Sequence, residues 1–152
     1  MSVRLATAAE TMAYGNGLGN KLRPGDLVLL AGPLGAGKTT LTRGIAEGMA
    51  VSGRVASPTF VLAREHPATS GGTPLVHVDA YRIGGDLSQL DDLDLDTELD
   101  TAAIVVEWGE GIAEILSDDY LVLHLDRQAD ESRTVTLEPH GAWAQRHDVL
   151  NR

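Results

Sequence analysis

The sequence predicts an α/β fold: a mostly parallel central sheet with helices on both faces and some antiparallel strands late in the chain. Three observations predict it. Short apolar runs at Asp26–Leu30 (DLVLL), Leu75–Asp79 (LVHVD) and Ala103–Glu107 (AIVVE) read as buried strands. Leu41, Ile45 and Met49 recur at a four-residue step, as in a helix laid on a sheet. A glycine-rich turn joins the first of those strands directly to that helix. At 152 residues and 43% hydrophobic content, the chain is expected to form a single domain over 1–152 with its own core.

Element by element, Thr7 is placed to cap a helix over 8–22, with Met12, Leu18 and Leu22 as its apolar points and three glycines weakening it. The Pro24-Gly25 turn precedes the strand 26–30, and the helix after the glycine turn runs from Thr39 to Ala50. Thr59–Ala63 and Leu75–Asp79 read as strands separated by the loop Ala68–Pro74 (ATSGGTP). Ala103–Glu107 is another strand, followed by a helix at about 109–116, two β runs at Tyr120–Leu125 and Thr134–Glu138, and a short helix from Trp143. The two late runs, adjacent in sequence, are expected to pair antiparallel.

Composition narrows function. Twelve basic residues against 22 acidic ones give a net charge of -10, and the bases stand singly, so direct nucleic-acid binding is not expected. Without cysteine there is no disulfide scaffold, cysteine zinc site or thiol nucleophile. The N-terminal MSVRLATAAE lacks an unbroken apolar region and no stretch is long enough to span a membrane, so the expectation is a cytoplasmic protein. The five histidines lack metal-ligand spacing and are read as structural or solvent-facing. Residues 86–100 hold seven acids and no base. A calcium loop fails there, because Thr97 stands where glycine must turn and Ala103 where the bidentate glutamate belongs. An amphipathic surface segment or a docking face for a basic partner remains.

The chemistry lies in Gly32-Pro-Leu-Gly35-Ala36-Gly37-Lys38-Thr39, a full G-x-x-x-x-G-K-[ST] match after a strand and before a helix. Glycines let successive backbone N–H groups curl around phosphate oxygens, and the helix N-terminus adds its dipole. Lys38 would reach the β- and γ-phosphates and the Thr39 hydroxyl would ligate Mg²⁺, while Thr40 either touches the α-phosphate through its N–H or is a plain surface residue. Such a loop needs acids at neighbouring strand ends. Asp79 and Glu107 each end an apolar run and supply them. Ser57-Pro58-Thr59 is either a turn or a nucleotide-sensing switch, and Tyr81, Arg82 and Trp108 flank the acids to line nucleotide or partner, or simply pack. The absence of N-K-x-D disfavours guanine, and the absence of an arginine-dense lid weakens a metabolite kinase.

Taken together, GPLGAGKTT at 32–40, TRGIAEGM after it, SPTFVL at 57–62, HVDAYR at 77–82 and VEWGEG at 106–111 resemble the bacterial TsaE (YjeE) ATPases of tRNA threonylcarbamoyladenosine synthesis. The resemblance covers roughly residues 5 to 138. It implies a P-loop NTPase fold that binds ATP and Mg²⁺ and docks on TsaB and TsaD, which transfer the threonylcarbamoyl group to adenosine 37 of ANN-decoding tRNAs. Hydrolysis would reset that complex, and the tRNA would be held only by the partners. By position, the resemblance makes Lys38 the phosphate lysine, Thr39 and Glu107 the Mg²⁺ ligands, Asp79 a carboxylate essential for hydrolysis and Thr59 the switch residue. Gly35, Ala36, Gly37 and Thr40 complete the ATP cradle. Trp108 would lie near nucleotide or partner, Arg133 would contact ATP, and Ala6–Thr7 would border the adenine. Pro33 and Gly109 depart from the family's frequent Asp and Pro, and 139–152 match nothing in it. A small-molecule P-loop kinase and an ATP-gated scaffold with incidental hydrolysis are the alternatives.

Overall fold

Every residue of Leu27–Ala31 is buried, because this strand lies at the middle of a sheet covered on both faces. The computed structural model describes residues 2–33, 35–52, 63–69, 71–79, 94–107 and 116–150. Among the described residues seven strands form one sheet: β1 (Ser2–Leu5), β2 (Leu27–Ala31), β3 (Ala63–His66), β4 (Leu75–Asp79), β5 (Ala103–Glu107), β6 (Tyr120–Arg127) and β7 (Arg133–His140), in the order β1-β7-β6-β2-β5-β4-β3. The four central strands, β6, β2, β5 and β4, are parallel. The β1–β7, β6–β7 and β3–β4 pairs are antiparallel. A mostly parallel sheet therefore describes only the centre. The consecutive pairs β3–β4 and β6–β7 return antiparallel, which requires no crossover.

Period-two alternation divides the core. Val28, Leu30, Val105, Leu121, Leu123 and Leu125 point to one face, against helices α1 (Ala8–Gly19) and α2 (Lys38–Met49). Leu27, Leu29, Ala31, Val76, Val78, Ile104 and Val106 point to the other, where Leu95 of the short helix α3 (Leu95–Glu98) packs with Ala102. Each fully buried leucine or isoleucine contributes roughly 1.5–3 kcal/mol, so these two layers dominate the stability.

Thr7 caps α1 as expected. Its side chain accepts from the Glu10 amide at 3.2 Å and Glu10 Oε2 accepts from the Thr7 amide at 3.0 Å. The helix stops at Gly19, short of the expected 22. Its glycines serve the contact with α2. A Cβ on Gly15 or Gly19 would lie 2.5 or 2.2 Å from carbonyl oxygens of Leu41 or Ile45, and one on Gly44 or Gly48 would lie 2.2 or 2.1 Å from those of Met12 or Asn16. The two helix backbones touch.

The strand expected at Thr59–Ala63 is observed as Ala63–His66, with 59–62 outside the described residues. The helix expected at 109–116 lies outside them except for its last residue, as does the acidic segment up to residue 93. Among the described residues no helix is long and apolar enough to cross a membrane.

The C-terminal segment, where a short helix was expected from Trp143, closes the α1/α2 side of the core. A 3₁₀ turn (Gly141–Gln145) and helix α4 (His147–Leu150) bury Trp143 and Val149. Arg146 stacks over Trp143 at 4.2 Å and donates to Asp26 Oδ1 and to the Lys21 carbonyl, both at 2.7 Å. A lysine there keeps the charge but loses the fork that serves both acceptors. Arg146→Lys should cost about 1 kcal/mol and lower the melting temperature by ~2–4 °C; an unchanged melting curve would show that the fork contributes nothing.

Candidate functional site

Parallel pairing in register gathers the site at one edge. Leu30 of β2 and Asp79 of β4 both align with Glu107 of β5, so the two acids end adjacent strands and the loop after β2 leaves from the same edge. Alternation puts His77, Asp79 and Glu107 on the face shared with Leu75 and Val105, the side on which α2 lies. The loop residues adopt the backbone that glycine allows: Gly32, Gly35 and Gly37 have φ of 144°, 80° and 102°. A Cβ at Gly32 would sit 2.3 Å from the Leu125 carbonyl oxygen. Gly37 is the N-cap of α2 and offers no side-chain hydrogen bond, which leaves the first N–H groups of the helix for an anion.

Lys38 opens α2 and is buried, 6% exposed. Its Nζ donates to the carbonyls of Gly32 at 2.5 Å and Pro33 at 3.1 Å, so the ammonium is held inside the loop it would share with phosphate. Thr39 and Thr40 follow, half-buried, in the first turn. Thr42 Oγ1 donates back to the Lys38 carbonyl at 2.9 Å, in a fully buried position.

Arg133, at the start of β7, grips the loop from outside. Its Nε donates to the Ala36 carbonyl at 3.0 Å and its Nη2 to that of Gly35 at 3.1 Å. The β6–β7 turn sets that approach. Ser132 donates to Asp130 Oδ1 through its hydroxyl at 2.6 Å and its amide at 3.0 Å, and these bonds, with Arg4 on Oδ2, hold the Asp130 carboxyl down at about 2. Arg127 lies beside the same loop, since a Cβ on Gly35 would be 3.7 Å from its Nη1. Three cations thus surround the turn in a chain of net charge -10. The first turn of α1 borders it too: a Cβ on Gly37 would meet Thr11 at 4.0 Å. Thr7 stands one turn earlier, its hydroxyl engaged as the cap.

Glu107 is 5% exposed and His77 is fully buried. His77 Nε2 lies 2.5 Å from Glu107 Oε2. Sequence reading grouped His77 with the structural histidines, although a polar residue at a core-facing position two before Asp79 was a signal. The other histidines lie elsewhere. His66 Nδ1 meets the Ser52 carbonyl at 3.2 Å, and His140 and His124 bond Glu138 and hold its carboxyl below the ordinary value. Among the described residues no group of three or more His, Asp or Glu side chains forms a metal cage. Oxygen donors from one or two carboxylates and a hydroxyl suit a hard cation completed by phosphate oxygens. Ser57, Thr59, Tyr81, Arg82 and Trp108 lie outside the described residues.

The chain is similar to known proteins over most of its length. The family model "Threonylcarbamoyl adenosine biosynthesis protein TsaE" matches residues 5–135. The tRNA threonylcarbamoyladenosine biosynthesis protein TsaE of Streptomyces coelicolor is 57% identical over 135 residues, covering 86% of this chain and 91% of that one. The protein of the same name from Bacillus subtilis is 36% identical over 148 residues, covering 97% and 89%. The crystal structure of Bacillus subtilis YdiB superposes with a TM-score of 0.81 at 30% identity, covering 99% of this chain and 94% of that one.

Proposed function

The chain belongs to the TsaE family of tRNA threonylcarbamoyladenosine biosynthesis proteins, and from that premise we propose that it binds and hydrolyses ATP in support of the threonylcarbamoyl transfer carried out by TsaB and TsaD. The supporting observation is that Lys38, Asp79 and Glu107 converge beside one glycine loop at one sheet edge. Water attack on a γ-phosphate is almost wholly a matter of positioning and charge, and this edge supplies both.

In this reading the amides of Gly35, Ala36, Gly37, Lys38, Thr39 and Thr40 bind the phosphates, and Lys38 leaves the Gly32 and Pro33 carbonyls to neutralise charge on the β- and γ-oxygens. Mg²⁺ would be held by the Thr39 hydroxyl and Glu107 and would supply further neutralisation of the phosphoryl oxygens. Asp79, next to Glu107 in register, orients the attacking water. Arg133 holds the loop's carbonyl side and from there contacts ATP. Ser57 and Thr59 report hydrolysis to the partner, and Tyr81, Arg82 and Trp108 line nucleotide or partner. The acidic surface leaves the tRNA to TsaB and TsaD, and the protein works in the cytoplasm without a membrane.

The experiment is Mg²⁺-dependent ATP hydrolysis by the purified protein, alone and with TsaB and TsaD added. Low turnover alone and a several-fold rise with the pair is the expected result. Hydrolysis that the pair leaves unchanged would remove the docking part of the proposal. No hydrolysis in either condition would overturn the ATPase itself.

A further inference from the structure

His77 occupies a place where a leucine would be cheaper. It is fully buried between apolar neighbours on β4, and its Nδ1 has no hydrogen-bond partner among the described residues. An unsatisfied ring nitrogen in a buried position costs free energy and calls for a reason. The other ring nitrogen gives one. Nε2 meets Glu107 Oε2 at 2.5 Å, and His77 is the hydrogen-bond partner Glu107 has among the described residues. One hydrogen lies between the two atoms. Placing it on Nε2 lets the ring donate to the carboxylate and leaves only a lone pair unmatched at Nδ1, whereas the Nδ1–H tautomer would bury an orphaned donor there.

Glutamate carries three rotatable bonds, and a ligand that must be ordered each time a cation arrives loses affinity. Partners behind the ligating groups of metal sites remove that loss, and their mutation typically weakens the site. Register supplies the reach here: His77 lies opposite Val105, two residues behind the aligned pair Asp79 and Glu107, on the same sheet face.

We infer that His77 is a positioning residue: its Nε2–H fixes Glu107 through Oε2, leaving Oε1 to ligate the nucleotide-bound cation. The inference rests on the reading of Glu107 as that ligand.

The test compares His77→Leu, which removes the donor, with His77→Gln, whose side-chain N–H reaches the position of Nε2. Mn²⁺ is titrated by electron paramagnetic resonance into each protein with a non-hydrolysable ATP analogue, and analogue affinity is measured separately in chelator. His77→Leu should raise the half-saturating Mn²⁺ concentration by ~10–100-fold while cation-free affinity stays unchanged, and His77→Gln should restore most of the loss. Unchanged Mn²⁺ affinity in a folded His77→Leu protein overturns the inference. So does an equal loss of cation-free affinity, or a glutamine variant no better than leucine, either of which marks the pair as merely structural. Absence of Mn²⁺ binding by the wild-type complex would instead bring down the reading of Glu107 beneath it. Should the leucine variant unfold, long-range ¹⁵N NMR of the wild-type ring decides: an Nε2–H tautomer supports the inference and an Nδ1–H tautomer overturns it.

Discussion

Lys38→Ala is expected to take ATP turnover to the level of the assay blank. Removing a single preorganised donor to developing oxyanion charge costs ~10²–10³ in rate, and a buried full charge in a water-poor loop sets at least that scale. The lysine is 6% exposed and its ammonium is already within the loop, on two carbonyls it can exchange for phosphate oxygens without travelling. Alanine removes the donor from the bound state and from those carbonyls alike. Folding should survive, because the Gly32 and Pro33 oxygens face a loop that water can enter once the side chain is gone. The measurement pairs kcat and kcat/KM with a melting curve. Wild-type turnover in folded Lys38→Ala would refute the assignment of the loop. Lost turnover in an unfolded protein would say only that Lys38 holds the loop together, and Lys38→Met, which keeps the aliphatic stem, separates the two.

What sequence could and could not reveal follows from the range of each interaction. LVHVD and AIVVE are observed with the bounds their apolar patterns imply, because a strand buried on both faces writes its limits into hydropathy. β6 and β7 extend beyond the expected runs, to Arg127 and from Arg133, since a hairpin continues into solvated residues that carry no such pattern. β1 escaped notice altogether: SVRL is short, half polar and paired only along the edge of β7. The placement of Lys38, Thr39, Asp79 and Glu107 at one sheet edge was legible because a glycine loop and strand-end acids are local motifs. The Arg133 grip on Gly35 joins residues 98 apart and Arg146 meets Asp26 across 120, and no periodicity encodes such pairs. His77 falls between these cases. The alternation that marked Asp79 also put His77 on its face, but its meaning depended on the register of β4 against β5.

The glycine contact between α1 and α2 carries the second large expectation: Gly44→Ala should destabilise the protein by about 2–3 kcal/mol, lowering the melting temperature by ~5–10 °C. Helix propensity alone argues the reverse, since alanine is favoured over glycine by ~1 kcal/mol inside a helix. Geometry decides the sign. The added Cβ would lie 2.2 Å from the Met12 carbonyl oxygen, 3.0 Å from its carbon and 3.1 Å from the Gly15 Cα. All three obstacles are main chain, so no rotamer change relieves them and the helices must separate. Gly15, Gly19 and Gly48 make the reciprocal contacts, which would open together. Gly44→Ala and Gly19→Ala should therefore combine non-additively, the second costing less once the first has parted the pair. Separation would also tilt α2, whose first residues are Lys38 and Thr39, so nucleotide affinity should fall even where the variant remains folded. A rise in melting temperature would show that the two helices yield without cost, and the close packing would then have no hold on the phosphate loop.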